Sequence, residues 1–568
     1  MKHQIITFIC FVAGTLFCQA EGLPSSPKRE VRAVWITTLS GLDWPRTKAR
    51  TATDIERQKQ ELCDMLDQLQ AAHFNTILLQ TRIRSTVIYP SAIEPWDGCL
   101  TGQAGRDPGY DPLKFAIEEC HKRKMELHAW LVAFPGMNTT NAKSAGKRKT
   151  SARWEKFSML TSNGWMLDPG EPETANYLAD LCEEITANYD IDGIHLDYLR
   201  YPEKEVKYND TKTYNKYGKG QNLATWRRAN VTHCMRTIHD AVKRLKPWVR
   251  VSCSPIGKSG DLRRFSSKEW NAYAAVHQDV KGWLREGLVD MIVPMMYFQG
   301  NHFYPFLADW VEHSEGRMVV PGLGAYLLKE RNWPLEVLER EDYVSRQMGA
   351  HGQAYFRSRF VTGDTKGLYS FLRKNFYTTP AFTPALTWEK ATPPDSPKSP
   401  HIIATPNGIE LHWEKEAEEG ITYNIYRSAT YPVDISNINH LMEYGLHESR
   451  FSIPMMLPET MLPYYTVTAM DRYGNESIQA DFNQPIKADM TWCTNWLQTD
   501  GNCVILPSAT SDEYLMVTDI TQRAVMLTPY KQQIDCNALP PGIYTFRTLG
   551  KKGRTHLIGR LIKNGSTE

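Results

Sequence analysis

Eight short apolar segments, separated by longer amphipathic stretches, dominate the first two thirds of the sequence. They span residues 31–38, 74–81, 125–134, 191–199, 249–254, 289–298, 318–325 and 353–360. Most are almost continuously hydrophobic, which is typical of parallel strands buried on both faces. Eight such strands alternating with helices predict an α/β fold, a (β/α)8 TIM barrel with long loops. A doubly wound open sheet is the alternative, but no glycine-rich nucleotide-binding turn follows the first segment.

The stretches between these segments carry helix signals. Thr53 and Glu56 fit a capping box, and apolar residues follow at helical spacing. Residues 172–189 and 279–286 have the same amphipathic character. The pattern therefore predicts helices between the strands, as a barrel requires.

A change of pattern divides the chain into domains. The barrel is expected to occupy residues 28–390, and the proline-rich residues 391–400 indicate a linker. Beyond it, residues 409–413, 422–426 and 464–468 alternate polar and apolar side chains between turn signals. This alternation predicts an all-β sandwich over 401–485, followed by a last β-domain over 486–568.

The N-terminal residues 1–20 are typical of a signal peptide. Lys2 supplies the positive end, residues 5–17 form a short apolar run, and residues 18–20 offer a cleavage site. Lipid attachment at Cys18 is an alternative that ranks second, because Phe17 is bulky where lipoprotein signals carry a small residue. No later segment is apolar for long enough to cross a bilayer. We therefore expect an exported protein, periplasmic, secreted or on the cell surface.

Composition narrows the classes of partner. The 568 residues carry 66 basic and 64 acidic side chains, a net charge of +2, which argues against nucleic acid as a partner. The cysteines are scattered without a CxxC pair, so no zinc site is indicated, although Cys493 and Cys503 could form a disulfide. No cofactor is predicted, and the oligomeric state stays open.

The fourth predicted strand carries the main catalytic candidate. In residues 192–197, the period of two puts His195 and Asp197 on one face and Ile194 and Leu196 on the other. The apolar pair should face the helices, so His195 and Asp197 should point into the barrel. Functional residues of barrels lie at the carboxyl ends of the strands, where Asp197 falls. The alternative is that Asp197 only pairs with a buried arginine, Arg82 or Arg200.

Other strand ends contribute hydrogen-bonding and aromatic side chains to the same opening. Sugars need this combination, because aromatic faces stack on their C–H surfaces and polar groups bind their hydroxyls. The predicted substrate-binding residues are Arg82, Arg84, His128, Trp130, His195, Tyr198, Ser254, Tyr297, Gln299 and Tyr326.

The chain from about residue 30 to 382 resembles the bacterial glycosyl hydrolase-like family ten, a group of extracytoplasmic barrel proteins. The resemblance rests on ordered segments, above all Tyr189 to Tyr198 with Tyr201-Pro202. Further matching segments are residues 74–91, 100–113, 127–131, 167–170, 278–283 and 294–297. It implies a barrel that cleaves glycans without fixing the substrate. Many relatives carry two successive carboxylates at strand four, whereas here Tyr198 follows Asp197.

The C-terminal segments have resemblances of their own. Residues 401–485 resemble a fibronectin type III module in aromatic placement and in the closing 471–475. The last segment resembles the C-terminal sorting domains of type IX secretion in residues 517–520, 539–544 and 563–564. A plain accessory β-domain is the alternative for this last piece.

Glycoside hydrolysis usually needs two carboxyl groups, one acid and one nucleophile or base. Asp197 is the first candidate, as nucleophile or base. Asp279 is predicted as the second, with a helix N-cap as its alternative role. Asp43 and Asp168 are further candidates. His195 either shifts the pKa of Asp197 or is a hydrogen-bonded histidine of the barrel interior.

These residues predict an exported glycoside hydrolase acting on a polysaccharide, with peptidoglycan glycan strands as the candidate substrate. A non-catalytic glycan-binding barrel is the main alternative. A metal-dependent deacetylase is the weaker one, because His128, His195 and Asp197 make a known type of ligand set but lack close metal-binding spacing.

Overall fold

A computed structural model describes residues 26–137, 152–405, 408–454 and 463–484, and most of 496–563. The last range is described at 496–497, 499–500, 503–507, 514–521, 523–549 and 555–563. The predicted signal peptide, with Cys18, and Cys493 of the possible disulfide lie outside these residues. Cys503 is a free thiol.

Parallel strands form a closed barrel. They are β1 Val31–Ile36, β2 Thr76–Arg82, β3 Glu126–Val132, β4 Gly193–Asp197, β5 Arg250–Ser254, β6 Met291–Ile292, β7 in two pieces, Met318–Val319 and Gly322–Leu323, and β8 Gly352–Tyr355. The first piece of β7 pairs with β6 and the second with β8, while β8 also pairs with β1. Because both ends of the sheet are pieces of one segment, the ring closes. The predicted (β/α)8 barrel is confirmed.

One main helix follows each strand. These helices are α1 Ala52–Ala71, α2 Pro112–Lys122, α3 Glu173–Asn188, α4 Leu223–Leu245, α5 Val280–Arg285, α6 Tyr304–Glu312, α7 Leu335–Gln347 and α8 Leu368–Phe371. Short helices in the loops span Gly98–Thr101, Ala152–Phe157, Thr211–Thr213, Ala272–Ala275, Leu327–Glu330 and Ser358–Thr362. The capping box of α1 is Thr51 with Asp54, two residues before the predicted pair, because the helix begins earlier than its apolar spacing indicated.

Two cores hold the barrel. The larger lies between the sheet and the helices and contains Ile194 and Leu196, as the period of two predicted. The smaller fills the barrel interior and includes Trp35, Leu78 and Trp130. Packing inside is tight: a Cβ on Gly193 would lie 2.6 Å from the His128 ring. The interior is therefore filled with side chains, and open space is left only at an end.

The last predicted strands are shorter than their apolar segments. The segment 289–298 contributes two residues to β6, and the segment 318–325 is interrupted between the two pieces of β7. The segment 353–360 turns into the helix Ser358–Thr362 after β8. Prolines explain the first two, since Pro294 and Pro321 lack the N–H that a central strand donates.

Antiparallel sheets follow the barrel. Residues 391–400 contain no helix or strand. A three-stranded sheet comprises His401–Thr405, Gly408–His412 and Arg450–Pro454. A four-stranded sheet comprises Leu441–Leu446, Thr422–Ser428, Tyr464–Met470 and Ala480–Asp481. Two further sheets comprise Thr499–Asp500, Cys503–Ile505 and Gln533–Asp535, and Ala524–Pro529, Tyr514–Thr518, Gly542–Leu549 and Thr555–Lys563.

The first of these β-regions packs against the amino-terminal end of the barrel, here called the floor. Leu386 joins the interior core, and its backbone N–H donates to the Tyr473 carbonyl oxygen at 2.8 Å. Trp388 donates to Asp290 at 2.7 Å, and Lys28 pairs with Glu476. The carboxyl ends of the strands, here called the mouth, stay uncovered by this contact. Among the described helices, none has the length and apolarity to cross a membrane.

Candidate functional site

A cavity of about 490 Å³ opens at the mouth of the barrel. Its walls come from the ends of β2, β3, β4 and β8, the loop after β1, the loop after β4, and a hairpin formed by Ser158–Thr161 and Gly164–Leu167. This volume lies in the range typical of small-molecule and oligosaccharide sites. Two carboxylates line it, those of Asp197 and Glu203.

Asp197 ends β4 and is only 6% exposed. Its Oδ1 accepts hydrogen bonds from the Ser254 hydroxyl at 2.9 Å and from the Tyr198 N–H at 2.8 Å. Its Oδ2 accepts one from the Trp130 indole at 3.1 Å. Burial raises the pKa of Asp197 above its ordinary value, although these donors and the nearby Arg200 oppose the shift. The carboxyl group is thus fixed in position by neutral donors and holds its proton to a higher pH than an exposed aspartate does.

The two arginines considered as partners of Asp197 are paired elsewhere. Arg82 is fully buried and donates to the two oxygens of Glu94 at 2.8 and 2.7 Å. It also donates to the carbonyls of Val132 and Ala133. Arg200 donates to Glu203 at 2.9 Å. Arg82, predicted to bind substrate, therefore lies inside the wall with its guanidinium bound to other groups and does not line the cavity.

Glu203 was missed by the sequence analysis. It lies in the loop after β4, half-buried, and its Oε1 pairs with Arg200. The loop is held against the hairpin by the pairing of Thr161 with Tyr208 and by the Ser162 N–H, which donates to the Lys207 carbonyl at 2.8 Å. The available signal was its position six residues after Asp197, in the long loop that follows a strand carrying a candidate acid.

The other predicted carboxylates lie outside the lining of this cavity. Asp279 caps α5 and accepts the Gly282 N–H at 3.1 Å, the alternative role left open above. The structure does not bring it together with Asp197. Asp168 accepts from the Gly170 N–H and the Thr213 hydroxyl, both at 2.8 Å, which fixes a loop. Asp43 accepts the Thr37 N–H and binds Arg357 at 2.6 Å.

Both predicted histidines are buried below the cavity. His195 accepts the Trp35 indole N–H at Nε2, 3.2 Å away, so its Nδ1 donates to the Ser252 hydroxyl at 2.9 Å. Burial lowers its pKa to about 3, which keeps the ring neutral. The Nε2 atom of His128 lies 3.2 Å from the Oε2 atom of Glu126. Direct substrate contact by either histidine is contradicted by this burial, and the hydrogen-bonded interior histidine is the role that His195 has.

The candidate metal set is not assembled either. His128 faces Glu126, while both ring nitrogens of His195 are engaged with other side chains. Across the described ranges, no group of three or more His, Cys, Asp and Glu side chains could hold a metal ion.

Aromatic rings form much of the remaining wall. Trp130, Trp165, Tyr198, Tyr297 and Phe356 line the cavity. Tyr198 is 40% exposed and has a left-handed backbone conformation, with φ at 53°. Tyr297 contacts Phe356 with ring centres 5.9 Å apart. Apolar ring faces beside polar groups suit the two kinds of surface on a sugar ring.

The remaining predicted residues divide between the cavity and its surroundings. Arg84 lines the cavity and is exposed. Ser254 supports Asp197 from below, and Tyr326 packs edge-on against Tyr297 at 5.6 Å rather than lining the cavity. Gln299 is exposed at the start of a short 3-10 turn and does not line it either. Substrate contact through Arg84, Trp130, Tyr198 and Tyr297 stays a prediction.

Comparison with known proteins places this barrel in a family. The model of the family described as glycosyl hydrolase-like 10 matches residues 30–321. The chain is 30% identical over 502 residues to glycosyl hydrolase YngK of Bacillus subtilis (strain 168), a match covering 84% of this chain and 98% of that protein. The chain belongs to the glycosyl hydrolase-like 10 family.

Other similarities are more distant. The chain is 28% identical over 383 residues to glycosyl hydrolase DigH of Escherichia coli (strain K12), covering 58% of this chain and 87% of that protein. The solved structure of α-L-fucosidase isoenzyme 2 from Paenibacillus thiaminolyticus has a TM-score of 0.42 and 16% identity, covering 61% of this chain and 49% of that one.

The segment that matches the family model contains most of the residues that line the cavity, but not all of them. Asp197, Glu203 and Arg84 lie within residues 30–321. Phe356 and Arg357, which follow β8, lie beyond that range. Membership in the family implies a carbohydrate substrate.

Proposed function

We propose that this protein is an exported glycoside hydrolase that cleaves a polysaccharide, with peptidoglycan glycan strands as its substrate. The observation that carries the proposal is the pair of carboxyl groups, Asp197 and Glu203, facing one cavity lined by aromatic rings. Cleavage of a glycosidic bond requires two such groups, one to protonate the leaving oxygen and one to activate water or attack the anomeric carbon.

Asp197 is the proton donor in this proposal. Its raised pKa lets it hold a proton at a higher pH than an exposed aspartate. Oδ1 accepts two hydrogen bonds and Oδ2 accepts one, so Oδ2 is the better placed oxygen to carry the proton toward the cavity. This replaces the role of nucleophile or base expected from the sequence.

Glu203 is the second carboxyl group. Its Oε1 is held by Arg200 at 2.9 Å, which orients the carboxyl group that acts as base or nucleophile in this proposal. As the bond to the leaving oxygen breaks, Asp197 transfers its proton there. Glu203 either removes a proton from the incoming water or first bonds to the anomeric carbon. The configuration of the product separates these two courses.

The proposed substrate accords with the proposed location. Peptidoglycan lies outside the cytoplasmic membrane, where a protein carrying the predicted signal peptide at residues 1–20 would be delivered. The first β-region after the barrel contacts the floor, and this contact leaves the mouth accessible to an extended polymer. The accessory regions, resembling fibronectin type III and sorting domains, would hold the barrel near that polymer.

The test uses purified full-length mature protein and glycan strands from which the peptides have been removed. We expect wild-type protein to release new reducing ends. Asp197→Asn and Glu203→Gln should each lower kcat/KM by about a thousandfold or more, because each removes one of the two reacting carboxyl groups. Proton NMR of the first product formed would give its anomeric configuration.

Asp279→Asn is the matched control. Asparagine caps a helix as well as aspartate does, so the variant keeps its fold and loses one carboxylate outside the cavity. Its activity should match that of the wild type. A loss of activity in this variant, with full activity in Glu203→Gln, would show that Asp279 is the second catalytic group after all. Binding of several glycans without any cleavage would support a binding protein instead.

A further inference from the structure

The cavity carries an uneven distribution of charge. Three guanidinium groups line it, those of Arg84, Arg200 and Arg357, against the two carboxyl groups. The lining therefore has one more basic than acidic side chain. The whole chain is nearly balanced, with 66 basic and 64 acidic residues, so this excess is local.

Two of the three arginines have an acidic partner. Arg200 is bound to Glu203 at 2.9 Å, and its guanidinium stacks over the Tyr198 ring at 4.5 Å. Arg357 is bound to Asp43 at 2.6 Å. The excess charge of the cavity is therefore that of Arg84.

The guanidinium of Arg357 is bound to a carboxylate of the wall and also lines the cavity. Its Nη1 donates to Asp43 at 2.6 Å, and Asp43 is itself buried and fixed by the Thr37 N–H at 2.8 Å. The side chain of Arg357 is 11% exposed and lines the cavity. A guanidinium has five N–H donors in one plane, so one bond to Asp43 orients the group and leaves donors for a ligand.

Arg84 supplies the uncompensated charge. It is exposed at the end of the segment after β2, and within the described ranges it forms no ion pair. Burial raises the pKa of the Tyr198 phenol, and the nearby positive charge of Arg84 opposes that rise. Its guanidinium is therefore at the mouth, available to a ligand that also reaches Tyr198.

The strand order gives the positions of these residues around the ring. β8 and β2 are the two neighbours of β1, so Arg357 and Arg84 extend from strands about 10 Å apart on one side of the ring. Asp197 extends from β4, four strands from β8 and two strands from β2. Arg84 and Arg357 are here called the cationic wall of the cavity.

We infer that the cationic wall is a subsite for the carboxylate of an acidic sugar residue, bound by Arg84 and Arg357. This inference rests on the proposed function and names the class of glycan that the cavity selects. Arginine binds planar carboxylates through two parallel hydrogen bonds, and its binding is stronger than that of neutral donors. A neutral glycan would leave the positive charge of this wall uncompensated.

The experiment compares two forms of one polymer. Peptide-free glycan strands carry a lactyl carboxylate on every second sugar, and chemical reduction converts these carboxylates to alcohols without changing the backbone. For wild-type protein, we expect kcat/KM to be higher for the carboxylated strands by at least about tenfold, mainly through a lower KM. Arg84→Gln should reduce this ratio toward one, and Arg84→Lys should retain part of it.

Arg263→Gln is the matched control, since Arg263 is an exposed arginine outside the cavity, and its ratio should equal that of the wild type. Arg357 is less suitable as the main variant, because its removal leaves buried Asp43 without its guanidinium. Thermal unfolding of each variant checks that the fold is intact.

The outcomes separate the inference from the function on which it rests. Equal kcat/KM for both strands with wild type, or a wild-type ratio in Arg84→Gln, would overturn the carboxylate subsite while the hydrolase stands. If neither strand is cleaved, the proposed hydrolase fails. Calorimetric titration of the two strands then decides the subsite alone, and equal affinities would overturn it.

Discussion

Carboxyl groups at the floor and at the mouth of the barrel have opposite electrostatic surroundings. At the floor, Glu126 on β3 accepts from Arg250 at 2.7 Å and from the Thr383 hydroxyl at 2.6 Å. The arginine leads the interactions that hold its pKa down, at about 2, against the effect of burial. At the mouth, Asp197 on the neighbouring strand β4 has only neutral donors within hydrogen-bond distance, and its pKa is raised.

The difference shows what each end of the barrel is built for. A carboxylate beside a guanidinium is a stable charged pair that favours the folded state. A carboxyl group buried without such a partner can exchange a proton near the working pH, at some expense of stability. Residues on adjacent strands, with the same side-chain chemistry, thus serve stability at one end and the proposed reaction at the other.

Replacing the floor carboxylate should have the largest effect on folding. Glu126→Gln leaves Arg250 without its counter-ion and should lower the free energy of unfolding by about 2 kcal/mol at pH 7. Because the folded pKa lies below the ordinary value of 4.5, this contribution is present above pH 4.5 and is lost as pH falls toward 2. Urea unfolding across that pH range measures it.

The activity of Glu126→Gln tests whether the floor carboxylate affects the reaction as well as stability. At temperatures well below unfolding, kcat/KM should stay within about twofold of wild type, since the side chain lies at the opposite end of the barrel. A large loss of activity with unchanged stability would contradict the division between floor and mouth.

The mouth carboxyl should show the opposite dependence on pH. The folded pKa of Asp197 is raised, so its contribution to stability is present below the ordinary value of 3.8 and is lost as pH rises through the folded pKa. Asp197→Asn cannot ionise. Relative to wild type, its free energy of unfolding should therefore rise between pH 3 and pH 7, by an amount on the order of 1 kcal/mol.

Comparing the same two proteins at both pH values cancels any cost of the asparagine itself, such as an unfavourable contact between its amide and the Trp130 indole. A stability difference that does not change with pH would show that Asp197 is not buried as a titrating group.

The smallest effect should come from a single hydrogen bond at the mouth. The Ser254 hydroxyl donates to Asp197 and opposes the rise of its pKa. Ser254→Ala should therefore raise that pKa further and move the basic limb of the pH–rate profile upward by a fraction of a pH unit. Ser252→Ala, which removes a hydroxyl bound to His195, should leave the limb where it is.

The sequence predicted the barrel because its strands are buried on both faces and therefore appear as continuous apolar segments. Side-chain alternation placed Asp197 toward the interior for the same local reason. The position of each side chain along the barrel axis was harder to infer. Alternation put His128, His195 and Trp130 all inside, but only the Trp130 ring reaches the cavity.

Contacts between distant segments account for the remaining errors. Glu203 reaches the cavity because its loop pairs with a hairpin about 40 residues earlier, which no local pattern encodes. The alternation of side chains gives Arg82 and Arg84 the same predicted direction. The ion pair with Glu94, twelve residues after Arg82, holds Arg82 inside the wall instead. For Asp279, the sequence allowed two roles, a catalytic carboxylate or a helix N-cap. The helix α5 begins at the next residue, and Asp279 is its N-cap.

The layer beneath Asp197 has a consequence for how a long polymer could be handled. Trp35, His195 and Ser252 are hydrogen-bonded across the interior and block it completely. The barrel interior is therefore closed beneath the site, so a chain cannot be threaded along the barrel axis. Both fragments would then leave by the route along which the intact strand arrived.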